Sequence, residues 1–424
     1  MNIDGRQLGH RQWLDNFIYF YTFFYDICTA TTRTGNSYFY FFHNYKNTIK
    51  YPLFQIVRVI KCFSYFLLHN PIFLQMNQKN KRIPALDGMR AISILLVIGA
   101  HLKHSDLFSS LLPSYIYFDG TLGVGVFFTI SGFLITTLML KEENSKGKIN
   151  LKNFYIRRFL RLMPVYYAFL IVLVIIDYFT IVDITWCQYL SSLTYTKNFF
   201  CGSWIDGHLW SLAVEEQFYL VWPLIFYFVP KKYRIKIAVA LVIVAPIFRL
   251  YFYFTKQGNL LVFSFFSNMD CLMIGCLVAY IYFKEYKIID LLNKLPQGLV
   301  RFVALGLIFF SSLIQYLLLF GFFTVPFNKT VQSIAVGILI VSYSLQPKGW
   351  SYNFLNLKFI TYIGVLSYSI YLWQQPLLVP SGFYGKENPI ITTFPYSVFV
   401  IAIVSILSYE LLEKYFFKLK KKFK

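Results

Sequence analysis

From residue 86 onward the chain alternates long apolar runs with short polar connections. Ten runs approach the length needed to cross a bilayer: about 86–102, 120–140, 163–182, 209–229, 235–254, 260–283, 299–322, 330–346, 358–380 and 391–413. This pattern predicts an all-α polytopic membrane protein with about ten transmembrane helices. The basic residues are sorted between the connections. Alternate ones, beginning with 76–87 and ending with 411–424, hold 26 Lys and Arg, and the opposite set holds five. Cytoplasmic loops collect Lys and Arg, so the asymmetry predicts that both ends are cytoplasmic.

Residues 1–75 read differently. They hold 20 of the 88 aromatic residues, no Glu, and runs such as FIYFYTFFYD that follow neither helical nor strand periodicity. In one reading they are an N-terminal extension upstream of a start at Met76, where MNQKNKRIPALDGMR forms a basic leader to the first convincing span. In the other, 52–75 is an additional hydrophobic or interfacial helix interrupted by Arg58 and Lys61. Residues 76–424 form the membrane domain in both. A typical signal peptide is not evident, since Asp15 and Asp26 interrupt the first apolar stretch.

Composition agrees with the pattern. With 57% hydrophobic and 14% charged residues, the chain cannot hide its apolar side chains in a water-soluble core. The net charge of +21 sits in short clusters between spans, which is topology information and not the footprint of a nucleic-acid partner. The longest loop, 183–207, is external on this topology and contains Cys187 and Cys201, which can pair as a disulfide or remain thiols near the interface. Cys271 and Cys276 fall within the sixth span and read as packing residues. There is no CxxC, HExxH or EF-hand loop, and nothing asks for a metal.

The chemistry lies in polar residues that lipid would reject. RAISILLVIGAH, residues 90–101, places Arg90 and His101 on one helical face, because eleven steps of about 100° end roughly 20° past three turns. Their axial separation is about 16 Å. In HLWSLAVEEQFYLVWPL, Glu215 shares a face with His208 and Ser211, while Glu216 points roughly 100° away. On the predicted topology, His101 and Glu215 both fall in the outer half of the membrane, where they can meet. Arg249 and Asp270 fall in the same layer. They either belong to a substrate site or lock helices together as a buried ion pair. FYIRRFLRLMPVYY sets Arg157, Arg158 and Arg161 before the third span, as ordinary border arginines or as an anion clamp. GVGVFFTISGFLIT adds Gly123, Gly125, Ser131 and Gly132 to the second span, where small residues permit close helix approach or leave room for an elongated ligand.

Together these stretches resemble the integral-membrane acyltransferase type 3 family, bacterial O-acyltransferases that modify cell-surface carbohydrates. LDGMRAISILLVIGAH is similar to the opening motif, with its Arg-x10-His spacing. GVGVFFTISGFLI, FYIRRFLRLMPVYY and HLWSLAVEEQFYLVWPL follow in order, and NMDCLMIGCLVAY, IGVLSYSIYLWQQPL and SYELLEKYF fill the later positions. The resemblance covers about 84–420. It implies functional roles for Arg90, His101, Ser131, Gly132, Arg158, Arg161, Trp210, Ser211 and Glu215. The sequence departs from many relatives at Gln374, where they show a histidine, at Asn268, where they show an arginine, and at Glu410, where they show an arginine. Some relatives carry a C-terminal esterase-like domain, whereas this sequence ends in KLKKKFK.

The resemblance further implies a multi-pass protein of the bacterial cytoplasmic (inner) membrane, surrounded by membrane lipid, with an acyl-CoA donor, acetyl-CoA first, and a glycan acceptor. Arg90, Arg158 and Arg161 would dock the donor's phosphates. His101 would act as general base, oriented by Glu215. Ser131, Gly132, Trp210, Ser211, Arg249 and Asp270 form the expected substrate-binding set. Two other classes remain open at this stage: a secondary transporter, which would usually show inverted repeats and broken helices in matching halves, and a non-catalytic membrane scaffold. The sequence leaves the acceptor glycan, the acyl chain and the oligomeric state open.

Overall fold

The computed structural model describes residues 83–423, apart from 112, 114–115, 180–181, 201, 284–293 and 384–387. The segment 1–75, the start at Met76 and Cys201 therefore lie outside the described residues. All described residues fall in one compact unit, and among them no strand forms.

The helices are α1 (Pro84–Leu102), α2 (Asp106–Leu111), α3 (Gly120–Lys146), α4 (Leu151–Tyr178), α5 (Trp186–Leu193), α6 (Leu209–Phe228), α7 (Lys231–Phe254), α8 (Gly258–Phe263), α9 (Phe265–Phe283), α10 (Gln297–Tyr316), α11 (Gly321–Leu345), α12 (Trp350–Leu355), α13 (Lys358–Leu377), α14 (Tyr396–Ser408) and α15 (Lys414–Lys420). A single π turn, Tyr409–Glu413, joins the last two. Each of the ten apolar runs falls mostly within one or two of these helices, with ends that differ by several residues. Eight candidate spans are long and apolar enough by themselves to cross a membrane. The helices α6 and α13 are the two that fall short, and they carry much of the polar chemistry described below.

The helix ends differ from the apolar runs in an informative way. The third run begins at 163, but α4 begins at Leu151, where Asn150 caps it by accepting from the backbone N–H of Asn153 at 2.9 Å. Arg157, Arg158 and Arg161 are thus helical and not part of a loop. Likewise α3 starts at the cap Asp119, which accepts from Leu122 N–H at 2.9 Å, and continues as far as Lys146. Hydropathy marks where a helix meets lipid, whereas capping marks where it starts and stops.

The inner helices are α3, α9 and α11, with 72%, 67% and 61% of their most apolar windows buried. The outer helices α4, α7 and α10 bury only 28%, 28% and 22%, and present side chains such as Ile171, Ile243 and Phe302 outward, as lipid-facing helices do. Glycine sets the closest approaches. A Cβ at Gly132 would run into the carbonyl oxygen of Leu272, and one at Gly275 into that of Thr129, so α3 and α9 touch backbone to backbone. Gly364 does the same for α13 against Asp87 on α1. Cys187, in α5, is disulfide-bonded, and Cys271 and Cys276, in α9, are buried free thiols.

Candidate functional site

A cavity of about 780 Å³ lies between α1, α3, α4, α6 and α13. It reaches the surface at the end of α3, where Lys141, Ser145 and Lys146 are exposed, and its lining continues inward past Arg90, Arg158 and Arg161 to Glu215, Ser211 and Tyr371. Seven Lys or Arg residues line it against four Asp or Glu, so its charge selects for anions.

The arginines are not equivalent. Arg157 is committed to structure: it donates to Glu142 at 3.0 Å and to the carbonyl of Phe423 at 2.9 Å. Arg158 makes no hydrogen bond among the described residues. Its guanidinium lies over the rings of Tyr219, at 4.7 Å, and Phe154, at 5.9 Å, which leaves its N–H fork available to the cavity. Arg161 has neither an ion pair within range nor a hydrogen bond among the described residues. Arg90 has a loose partner, Asp87 at 3.6 Å on the preceding turn. Unspent guanidinium donors around one cavity are what a phosphate-bearing ligand requires.

Further in, Glu215 accepts hydrogen bonds from Ser131 of α3 and from Tyr219 one turn on along α6. Beyond it, the hydroxyls of Ser211 and Tyr371 share a hydrogen bond of 2.5 Å, and Tyr371 also donates to the carbonyl of His208 at 2.9 Å. The π turn before α15 delivers Glu413 to the cavity wall, where it accepts from Ser369 at 2.5 Å.

His101 does not line this cavity. It stands at the end of α1, where its Nδ1 faces the Oε1 of Gln374 at 2.6 Å. Gln374 is three residues beyond Tyr371 on α13, so His101 lies about one helical turn past the cavity's Ser211 and Tyr371 end. Trp204, from the loop before α6, meets the His101 ring edge-on at a centroid distance of 5.7 Å and also meets His104 at 4.9 Å. That loop is pinned twice to α13: Trp204 Nε1 donates to Leu378 at 3.0 Å, and Gln375 donates to the Trp204 carbonyl at 2.6 Å.

The loop has its own anchor. The carboxylate of Asp206 takes hydrogen bonds from Lys197, Ser203 and Ser192, the last at 3.2 Å. The Lys197 side chain is 1% exposed, and burial pushes its ammonium below the usual lysine range against the opposing pull of Asp206.

The structure therefore gathers Arg90, Ser131, Arg158, Arg161, Ser211 and Glu215 around one cavity. Five residues of the expected set, His101, Gly132, Trp210, Arg249 and Asp270, stand elsewhere. No hydrogen bond joins His101 to Glu215. The helix α1 packs along α13 and so gives His101 to Gln374, whereas α6 packs on α3 and gives Glu215 to Ser131. Gly132 is taken up by the backbone contact with α9. Trp210 packs edge-on against Phe128 at 6.2 Å and against Phe263 at 5.1 Å. Arg249 and Asp270 are ion-paired to each other, 1% and 0% exposed, and Arg249 also donates to Ser267 at 3.0 Å and Pro326 at 2.5 Å.

Residue spacing did not single out Tyr219, Tyr371 or Glu413. Tyr219 had a signal, being one turn from Glu215 within EEQFY, but Glu413 depends on the π turn and had none. Among the described residues no cluster of three or more His, Cys, Asp or Glu gathers to hold a metal.

Three comparisons with known proteins bear on this arrangement. The O-acetyltransferase OatA of Staphylococcus aureus strain NCTC 8325 is 27% identical over 361 residues, which cover 78% of this chain and 56% of that protein. OatA of strain COL matches to the same extent. A further S. aureus strain COL protein, provisionally named as an O-acetyltransferase, is 28% identical over 381 residues, covering 80% of this chain and 58% of its own length. The chain thus spans little more than half the length of the curated relatives it matches. No solved structure matches the chain. The sequence profile of the type 3 acyltransferase domain matches residues 83–409, which include every helix from α1 to α14 in full and every residue of the cavity site named above except Glu413. The chain belongs to the acyltransferase type 3 family.

Proposed function

We propose that the protein is a membrane O-acyltransferase that moves an acyl group, acetyl first, from acyl-CoA to a hydroxyl of a surface polysaccharide or lipid-linked glycan. Residues 76–424 form the catalytic domain, set in the bacterial cytoplasmic membrane with both ends and the basic end of the cavity on the cytoplasmic side. The observation that carries this reading is the order of groups along the cavity: unspent guanidinium groups near its mouth, then Glu215, then the Ser211 and Tyr371 hydroxyls, with His101 one turn further on. A coenzyme A thioester has the same order, with phosphates at one end and the reactive carbon at the other.

In this reading Arg90, Arg158 and Arg161 hold the phosphates, and the pantetheine arm follows the α1 face toward His101. His101 Nε2 takes the proton of the acceptor hydroxyl as its oxygen attacks the thioester carbonyl. The carbon–sulfur bond then breaks, and the proton passes to the departing thiolate, giving the ester and free coenzyme A. Glu215 holds the Ser131 and Tyr219 hydroxyls to the wall. The curated relatives named O-acetyltransferase support the choice of acetyl and of an oxygen acceptor.

The test uses membranes containing the full chain, labelled acetyl-CoA and isolated envelope glycan. Transfer of label to glycan by the wild type, lost in His101→Ala at matched expression, is the expected result. A wild-type protein that neither consumes the thioester nor labels any envelope glycan, or a His101→Ala variant with undiminished transfer, overturns the reading.

A further inference from the structure

We propose that Gln374 is the positioning residue for His101: it fixes the tautomer of the imidazole and thereby makes Nε2 the basic nitrogen. This inference rests on the reading of His101 as the general base. A neutral imidazole carries one proton on its two nitrogens, and which nitrogen holds it is set by the partner of the other. The atom of Gln374 that faces Nδ1 is the side-chain oxygen, at 2.6 Å. A carbonyl oxygen can only accept, so Nδ1 carries the hydrogen and Nε2 keeps its lone pair. Nε2 has no hydrogen-bond partner among the described residues and is left for a substrate proton.

The burial of Gln374 argues that this bond is its purpose. The side chain is 0% exposed, yet its Nε2 finds no partner. A buried amide that satisfies only one end costs stability, and an apolar side chain of the same shape would pack at lower cost. A glutamine retained there for packing alone would be a poor choice, whereas one retained for its oxygen is explained. The surroundings keep the pair in register: the Trp204 ring stands at the edge of His101, and Gln375, the next residue, holds the Trp204 carbonyl at 2.6 Å. Glu215, which the sequence suggested for this role, is occupied by Ser131 and Tyr219.

Two substitutions and one spectrum test the proposal in the full chain. Gln374→Met keeps the shape and removes the acceptor. It should lower kcat at least about tenfold, leave the KM for acetyl-CoA within about twofold, and leave the melting temperature unchanged or raised. Gln374→Glu restores an acceptor and, assayed near pH 8.5 or so, above the ordinary histidine range, should recover kcat to within about threefold of wild type. Independently of turnover, the ¹⁵N shifts of the His101 imidazole in labelled wild-type protein should report hydrogen on Nδ1. Wild-type kcat in Gln374→Met, a Gln374→Glu protein no better than the Met variant, or hydrogen on Nε2 overturns the assignment. Failure of the underlying reading looks different: His101→Ala itself then keeps its turnover, whatever Gln374 does.

Discussion

The hydroxyl of Tyr219 donates to the carboxylate of Glu215, one turn back along the same helix, while the face of the same ring carries the guanidinium of Arg158 at 4.7 Å. One tyrosine thus joins a cation at the cavity wall to a carboxylate deeper in, and Ser131 reaches that carboxylate from α3.

This link makes a prediction about coupling. Glu215→Gln removes the charge that both hydroxyls address, and Tyr219→Phe removes one of those hydroxyls while keeping the ring under Arg158. Each should reduce acetyl transfer, the first by about a hundredfold and the second by about tenfold. Residues in one hydrogen-bonded network are not additive, so the double variant should be little worse than Glu215→Gln alone. Losses that multiply would separate Tyr219 from the carboxylate.

The arginines should divide into two kinds. If Arg158 and Arg161 hold the donor's phosphates, as proposed, Arg158→Ala and Arg161→Ala each remove a charge-assisted contact worth roughly 1.5–3 kcal/mol, or about 10- to 150-fold in donor affinity. That loss should appear as a raised KM for acyl-CoA with a smaller change in kcat. Arg157→Ala, whose guanidinium already serves Glu142 and Phe423, should change donor KM far less. Equal donor kinetics in all three variants would reduce the cluster to a signal for membrane topology.

What the sequence disclosed and what it hid follow from the kind of information each residue carries. Hydropathy located the ten helical segments because lipid imposes its length on every helix that crosses it. Helical spacing placed Ser211 and Glu215 on one face of α6, and both line the cavity. It could not say which neighbouring helix that face would meet. The pairing of His101 with Gln374 joins residues 273 positions apart, and no pattern along α1 points to α13. The same limit left Arg249 and Asp270 open between a substrate site and an ion pair, and packing of α7 against α9 joins them to each other. Gly132 belongs to the motif for a reason of contact, which becomes visible only once the α9 backbone is seen beside it.

Those contacts make the glycines testable. A Cβ at Gly364 would collide with the backbone carbonyl of Asp87, which is not the flexible end of a side chain and cannot step aside. Gly364→Ala should lower the melting temperature in detergent by several degrees, consistent with the roughly 1–3 kcal/mol that overpacking costs. Gly125→Ala on α3 is the control, since a Cβ there meets nothing within 4 Å, and alanine is the better helix former by about 1 kcal/mol. Equal melting of the two variants would mean that α1 and α13 are not held at that distance.

The loop before α6 supplies the last prediction. Asp206 is 1% exposed and collects Lys197, Ser203 and Ser192, and the segment it anchors carries Trp204 to the edge of His101. Asp206→Ala leaves the Lys197 ammonium buried without its counter-charge, a change that costs about 3–5 kcal/mol in buried pairs. The melting temperature should fall, and acetyl transfer should fall with it, because the loop that flanks His101 loses its anchor. The double variant Lys197→Met with Asp206→Leu removes both charges and fills the space with apolar groups, which is often neutral or stabilising for a buried pair. It should recover most of the melting temperature. Thermal unfolding in detergent and transfer from labelled acetyl-CoA, measured on the same preparations, check both halves: an Asp206→Ala protein as stable as wild type would show that the pair does not hold the loop, and a double variant that regains stability but not transfer would assign the Asp206 cluster a part in the chemistry as well as in the fold.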